Sequence, residues 1–259
     1  MWNYLNIGGG KYLTVCETAV FHDNNFNRFR HLFDYCAVVE TCSEALGREY
    51  YQKIVELIGE QQAQKDWPVW VENDLYGGPK KITIDTLGEI APTTLRYAYV
   101  AYHLRAIFGD LKRMNICEIG GGYGGQARML SGLFGCADLT LIDLWPPLML
   151  ARKYLALYGM TPAMYTAGAV GDIELHPDLL ISNYAFSELD IAEQEIYYQN
   201  IVKNADRVYL VYNNTPGATP IKTMQTRLQN SIIIAEGITA SRSGIIIGGK
   251  NGIGYTCQS

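Results

Sequence analysis

Residues 118–125 read Glu-Ile-Gly-Gly-Gly-Tyr-Gly-Gly, so five glycines fill the six positions 120–125 and an acid stands two residues ahead of them. Glycine adopts positive φ without strain and lets backbone approach a ligand with no Cβ between them. The apolar run "NICEI" before the loop reads as a strand, and "GQARML" after it reads as the start of a helix. The unpaired N–H groups of that helix would face whatever the loop holds. Two spacings fit. Gly120, Gly122 and Gly125 make G-x-G-x-x-G, the dinucleotide pattern. Glu118, Gly120, Gly122 and Gly124 make E-x-G-x-G-x-G. The acid separates the two. A dinucleotide would press two phosphates against a carboxylate, whereas S-adenosylmethionine (SAM), with its ammonium and sulfonium, would be attracted to it. Asp143 ends "LTLID" nineteen residues after Gly124. An acid there can accept both hydroxyls of a ribose, which either ligand carries; its alternative role is to cap the helix that follows. Asp172, in "AVGDIE", is placed either to meet an adenine amino group or as an ordinary turn residue.

The elements that must hold these residues change character along the chain. The first ninety residues read as helical. "NFNRFRHLF" spaces Phe26, Phe29 and Phe33 as a helix would. Thr41 with Glu44 fits a capping box, after which Leu46, Tyr50, Ile54 and Leu57 share a face. The turn-rich loop "ENDLYGGPKK" follows, and Pro92 then opens a helix that Gly109 stops. Beyond Gly109, strands and helices alternate: "NICEIG", "DLTLID", "AMYTAGAV", "DLLISN" and "DRVYLVY" read as strands, and "SIIIAEGI" with "SGIIIGG" as a closing pair. That alternation implies an α/β fold with a mostly parallel sheet and helices on both faces, its ligand at the carboxyl ends of the strands. The organisation expected is a helical N-terminal cap or lid over residues 1–91 and a core over 92–259.

Composition narrows the partners. The chain has 259 residues, 48% of them hydrophobic, and a net charge of −5, which suits a large buried core. No run of Lys or Arg exceeds two residues, so a nucleic-acid partner is not expected. No apolar run approaches a membrane span, and "MWNYLNIGGGKYL" has neither the basic start nor the apolar middle of a signal peptide. Cys16, Cys36, Cys42, Cys117, Cys136 and Cys257 form no C-x-x-C pair and read as free thiols in a reducing, cytoplasmic setting.

The E-x-G-x-G-x-G spacing matches the first motif of SAM-dependent methyltransferases. "CEIGGGYGGQARML", "DLWPPLMLARKYLALYG" and "PDLLISNYAFSELD", with "NDLYGGP" and "APTTLRYAYV" ahead of them, resemble the sugar O-methyltransferases, a branch of the SAM-dependent Rossmann-like enzymes. The resemblance covers roughly residues 70–215. It implies a Rossmann-like sheet of seven strands, the last antiparallel, SAM as methyl donor, and a sugar hydroxyl, on a nucleotide sugar or a glycan, as acceptor. The rival readings are methylation of another small molecule or protein side chain, a Rossmann oxidoreductase, and a non-catalytic SAM-binding module. The N-P-P-Y-type tetrapeptide of amino-group methylation is absent after "DLLISN".

A hydroxyl acceptor is a weak nucleophile and needs a base beside the methyl group. The loop after the fourth core strand, Asn183-Tyr184-Ala185-Phe186-Ser187-Glu188, is the place for one. Glu188 leads, with Asp74 of "NDLYGGP" as rival. Asn183 is assigned to the cofactor or the methyl pocket, and Tyr184, Ser187 and Asn73 to the acceptor. Each has a plainer alternative: Glu188 as a first-turn helix acid, Asn183 as a turn cap, Asp74 as a turn former beside Asn73. Of the histidines, His31 and His103 lie in helical patterns, His176 precedes its strand, and His22 would reach the site only from a lid. Arg96, at the start of the Pro92 helix beside Tyr97, is a candidate partner for the methionine carboxylate or else a solvated surface residue. No paired-acid metal motif stands out, so no metal is expected. Nineteen tyrosines are compatible with a carbohydrate acceptor and equally with ordinary cores.

Overall fold

The computed structural model describes residues 9–85, 87–213, 216–228, 230–238 and 244–250. The chain begins with α1 (Gly9–Phe21), followed by two single turns, α2 (Asp23–Phe26) and α3 (Phe33–Cys36), and by α4 (Glu44–Ile58) and α5 (Glu60–Val71). A small antiparallel hairpin, β1 (Ile82–Ile84) and β2 (Gly88–Ile90), leads into α6 (Pro92–Phe108). The alternating part runs β3 (Ile116–Ile119), α7 (Gly125–Phe134), β4 (Leu139–Asp143), α8 (Trp145–Ala156), β5 (Ala163–Thr166), β6 (Leu179–Asn183), α9 (Ile191–Asn200), β7 (Arg207–Tyr212), α10 (Ile221–Arg227), β8 (Ile232–Ala235) and β9 (Gly244–Gly248).

Seven strands form one sheet in the order β5-β4-β3-β6-β7-β9-β8. β3 pairs in parallel with both β4 and β6, and β9 runs antiparallel between β7 and β8. The chain moves outward from β3 to β5 and then returns to β6 on the other side of β3. This reversal is the switch point where α/β sheets open a crevice at the strand ends. The mostly parallel sheet, its helices on both faces and the antiparallel last strand agree with expectation.

Alternation along the strands divides the core in two. Leu179, Ile181, Tyr209, Val211, Ile245 and Ile247 face one side; Leu180, Val208, Leu210, Tyr212 and Ile246 face the other. Such near-continuous apolar strands belong to a sheet covered on both faces. The first face continues without a break into Tyr12, Cys16, Tyr35, Tyr50, Ile54 and Trp70 of the N-terminal helices. Those helices therefore share one core with the sheet. α6 lies between α4 and α7 and buries nearly its whole circumference, which accounts for its apolar, tyrosine-rich sequence.

Local signals explain several boundaries and correct two. Pro92 occupies the first turn of α6, and Gly109 ends it at φ 79°. The cap of α4 is Ser43, whose hydroxyl accepts from Leu46 N at 3.2 Å, rather than Thr41. "NFNRFRHLF" is not one helix but a series of short turns. Phe33 is 83% exposed while Arg30 is buried, so the phenylalanine spacing does not trace a buried stripe. The described cysteines, Cys16, Cys36, Cys42, Cys117 and Cys136, are free thiols; Cys257 lies outside the described residues.

Candidate functional site

A cavity of 490 Å³ opens at the carboxyl ends of β3, β4, β6 and β7. Its floor is Glu118, Gly120, Gly121 and Gly122 after β3, Asp143 at the end of β4, and Asn183, Tyr184 and Ala185 after β6. Its roof is the segment between α3 and α4, including Val38, Val39, Thr41 and Cys42, with Tyr12 and Tyr50 closing the ends.

Two glycines of the loop meet different local demands. Gly120 sits at φ 80°, and a Cβ there would fall 2.0 Å from the Cβ of Ala185. The strand ends of β3 and β6 can approach this closely only because position 120 is bare. Gly122, at φ 54°, would direct a Cβ into open space. Its exposed backbone borders the cavity, where a ligand can lie directly on it.

The two acids that face this backbone are both buried, Glu118 at 4% and Asp143 at 6% exposure. Asp143 accepts from Gly122 N at 2.8 Å and from Leu144 N at 2.7 Å. Burial pushes its carboxyl up to about 6, against the pull of those two N–H groups. Burial likewise pushes Glu118 up to about 8; the charge of Asp143 adds to the rise, and the neighbouring Asn183 amide opposes it. That amide lies beside the carboxylate without making a well-formed hydrogen bond: both its polar atoms, and Oε2 of Glu118, are buried without a partner. A buried acceptor with nothing to accept carries an unmet cost, which a cation or a donor seated in the cavity would relieve. A phosphate there would increase it.

The other end of the cavity is aromatic and carries one cation. Arg96 donates to Val39 O at 3.1 Å and to Thr41 Oγ1 at 3.4 Å, with its guanidinium 5.8 Å from both the Tyr97 and Tyr184 rings. Its Nε is buried without a partner. Arg96 therefore fastens the roof to α6 while offering one unused donor. Glu188, half-buried on the turn Ala185–Glu188, and Asn213, just after β7, complete this end.

Of the residues nominated from sequence, Glu118, Gly120, Gly122, Asp143, Asn183, Arg96, Tyr184 and Glu188 line this one cavity, and Tyr97 with them. Five others do not. Gly124 lies beneath the loop against Leu155. Asp172 is exposed on the turn after β5. Ser187 is buried, donating to Tyr184 O at 2.6 Å and accepting from Asn213 N at 3.0 Å. Asp74 is wholly engaged below the roof, accepting from Arg30 Nη1 at 2.9 Å, Thr94 Oγ1 at 2.6 Å and Ala91 N at 2.6 Å. Asn73 donates to Gly125 O at 3.0 Å and so braces the glycine loop from behind. Both belong to the scaffold that positions the start of α6 and the loop.

None of the four histidines lines the cavity. His103 is bonded through Nδ1 to Tyr209 Oη at 2.9 Å, and burial lowers it to about 4. Among the described residues, no group of three or more His, Cys, Asp or Glu side chains is placed to hold a metal ion. No described helix is long and apolar enough to cross a membrane.

Sequence reasoning missed the roof, Tyr50 and one further acid. Glu236, directly after β8, is 7% exposed and accepts from Tyr184 Oη and, at 3.2 Å, from Tyr50 Oη. Its signal was present: like Glu118 and Asp143, it is an acid at the end of an apolar strand.

No protein-family model matches the chain, and no curated protein matches it. Solved structures of similar shape include PigF bound to S-adenosylhomocysteine (SAH), with 14% identity over 85% of this chain and 75% of that one, at a TM-score of 0.46. An O-methyltransferase family protein from Burkholderia thailandensis shares 13% identity over 78% of this chain and 72% of that one, at 0.44. PH1948 from Pyrococcus horikoshii, a candidate RNA methyltransferase, shares 13% over 72% of this chain and 96% of that one, at 0.45. Likeness of this degree decides neither reaction nor acceptor; the chemistry of the cavity has to.

Proposed function

We propose that the chain is a SAM-dependent O-methyltransferase whose acceptor is a sugar hydroxyl, on a nucleotide sugar or a glycan. The observation that carries the cofactor half is the buried, partnerless oxygen of Glu118 beside Asp143, over the bare backbone of Gly122. When bound, SAM supplies an electrophilic methyl group on its sulfonium. Glu118 receives the ammonium, Asp143 the ribose hydroxyls, and the Gly120–Gly122 backbone lies against the ligand. Asn183 turns its amide toward the same end, and the unused Nε of Arg96 suits the methionine carboxylate.

The chain's own contribution to the transfer is position and dryness. Val38, Val39, Thr41 and Cys42 roof the strand ends, and a ligand seated beneath them would displace water there, which strengthens every charge interaction it makes. Residues 9–91 act in this reading as cover as well as core. Holding the acceptor oxygen in line with the methyl group supplies much of the rate. The side chain that takes the hydroxyl proton belongs to the end where Tyr184 and Glu188 line the cavity. The sugar assignment draws on the resemblance of residues 70–215 and on the faces of Tyr50, Tyr97 and Tyr184 in the wall, flat surfaces with polar tips that suit a pyranose.

The test is methyl transfer from methyl-labelled SAM to a panel of monosaccharides, nucleotide sugars and oligosaccharides, with phenols and amines alongside. Label is expected on a sugar hydroxyl as a stable ether. Label confined to phenols or amines would overturn the sugar assignment, and no transfer by protein that binds SAH would overturn the enzyme reading.

A further inference from the structure

Glu236 has no part in holding the cofactor, yet it is built into the acceptor end. β8 runs parallel to β7, because both pair antiparallel with β9. In that register Tyr212, Gly244 and Ala235 are level with one another. Glu236 therefore emerges at the same end of the sheet as Glu118, Asp143 and Asn183, level with the cavity residue Asn213 two strands away. Its carboxylate accepts from Tyr184 Oη and from Tyr50 Oη, and both tyrosines line the cavity.

Tyr184 is held in an unusual way. It follows the last residue of β6 at φ 71°, a region that a bulky side chain rarely enters and that marks a position fixed by its surroundings. Tyr184 N donates to Val211 O at 3.0 Å, and its carbonyl accepts from Ser187 Oγ at 2.6 Å. The backbone is thus pinned on both sides while the phenol is directed at Glu236. The Arg96 guanidinium, 5.8 Å from the Tyr184 ring, favours negative charge developing on that phenol.

We propose that Tyr184 takes the proton of the acceptor hydroxyl and passes its own to Glu236, so that this hydrogen-bonded pair, rather than Glu188, is the base of the transfer. The inference rests on the O-methyltransferase reading above. The acceptor oxygen forms a bond to the methyl carbon as the carbon–sulfur bond breaks, and that bond's electron pair stays on sulfur. The hydroxyl proton moves to Tyr184 Oη, the tyrosine proton moves to Glu236 Oε1, and Glu236 later loses it to solvent. Tyr184 is the catalytic residue, because it meets the acceptor; Glu236 and Tyr50 are positioning residues. The titratable groups that face Glu236 include Tyr50 from α4, Tyr184 after β6 and Cys42 from the roof, and Arg96 of α6 acts in turn on Tyr50, Tyr184 and Cys42. Arg96 is the cation of this cluster, beside the Tyr97 and Tyr184 rings.

The experiment uses the full chain, methyl-labelled SAM and the acceptor panel above, with SAH binding measured by calorimetry on every variant. Tyr184→Phe and Glu236→Gln are each expected to lower kcat by about a hundredfold or more, the range of a lost general base. Their SAH affinity should stay within threefold of wild type. The double variant should be no slower than either single one, because both remove the same relay. The loss in Glu236→Gln should fall on kcat with the acceptor KM within threefold of wild type, and Glu236→Asp should recover part of it, which a merely structural role would not give. The proposal is overturned if Glu188→Gln removes turnover while Tyr184→Phe stays within threefold of wild type, or if the two losses multiply in the double variant. If wild type binds no SAH or methylates no hydroxyl, the O-methyltransferase reading itself fails and this inference falls with it.

Discussion

Glu118→Gln is expected to weaken SAM binding by about a hundredfold while making the ligand-free protein more stable at pH 8. The affinity loss follows from removing a charge that meets the ligand's ammonium in a dry site; charge-assisted hydrogen bonds contribute about 1.5–3 kcal/mol, and tenfold in affinity is about 1.4. The gain in stability follows from the same burial. In the folded, ligand-free protein Glu118 holds its proton up to about pH 8, against 4.5 for the ordinary group. Between those values the folded state keeps a proton that the unfolded chain has shed, so stability falls as pH rises. Asp143 acts in the same direction over the lower window, up to about 6. Glutamine has no proton to lose, so the variant escapes the Glu118 share of that fall. The difference is on the order of 3 kcal/mol at pH 8, or a Tm higher by about 5 °C, and should vanish near pH 4.5. Scanning calorimetry of both proteins at pH 5 and pH 8 measures it. A lower Tm for the variant at pH 8 would show that Glu118 is satisfied in the free protein, contrary to its partnerless oxygen.

Arg30→Met is expected to cost about 3–5 kcal/mol of stability, the usual penalty for leaving buried charge unpaired, and to lower SAH affinity at the same time. Arg30 is 1% exposed and joins four parts of the molecule. Its Nε donates to Glu40 of the roof at 2.5 Å, its Nη1 to Asp74 at 2.9 Å and to Asn73 O at 2.8 Å, and its Nη2 to Thr94 of α6 at 3.3 Å. The guanidinium also lies 4.7 Å from the ring of Tyr123, the one side chain in the glycine run. Methionine matches the volume but leaves Glu40 and Asp74 facing each other without the cation between them. The roof should loosen with it, so the effect reaches the cavity although Arg30 does not line it. A double-mutant cycle with Asp74→Asn tests the account by urea unfolding. If the pair carries the effect, the double variant should lose less than the sum of the single losses, by about 1 kcal/mol or more. Strict additivity would mean that Arg30 acts mainly through packing.

The residues legible in the sequence were those whose local pattern is also their function. Glu118 and Asp143 stand at strand ends, Gly120 and Gly122 open the turn, and Pro92 and Gly109 bound α6; spacing alone places each of them. The roof was not legible in this way. Helical spacing showed that Tyr50 is buried, but not that it would face a cavity, because periodicity gives a direction and not a neighbour. Asp74 and Asn73 sit in a loop whose Asn, Asp and Gly content resembles that of a binding loop. Their true partner, Arg30, lies 44 positions from Asp74, and no local pattern predicts a contact of that range. The strands β1 and β2 have three residues each, too few for alternation to register. Glu236 follows an apolar strand, as Glu118 does, but its partners Tyr50 and Tyr184 lie 186 and 52 positions away, and no local pattern predicts contacts of that range.

The claim on which all of this depends is that a protonated, buried Glu118 becomes a carboxylate when it meets a cationic cosubstrate. The most direct measurement is calorimetric titration with SAM at pH 7 in two buffers of different ionisation heat, with NAD as the comparison ligand. The account predicts that SAM binds with release of nearly one proton, that its affinity peaks near pH 8, where the ligand's own ammonium begins to titrate, and that NAD does not bind. Tight binding of NAD, or of SAM with no proton released, would contradict it.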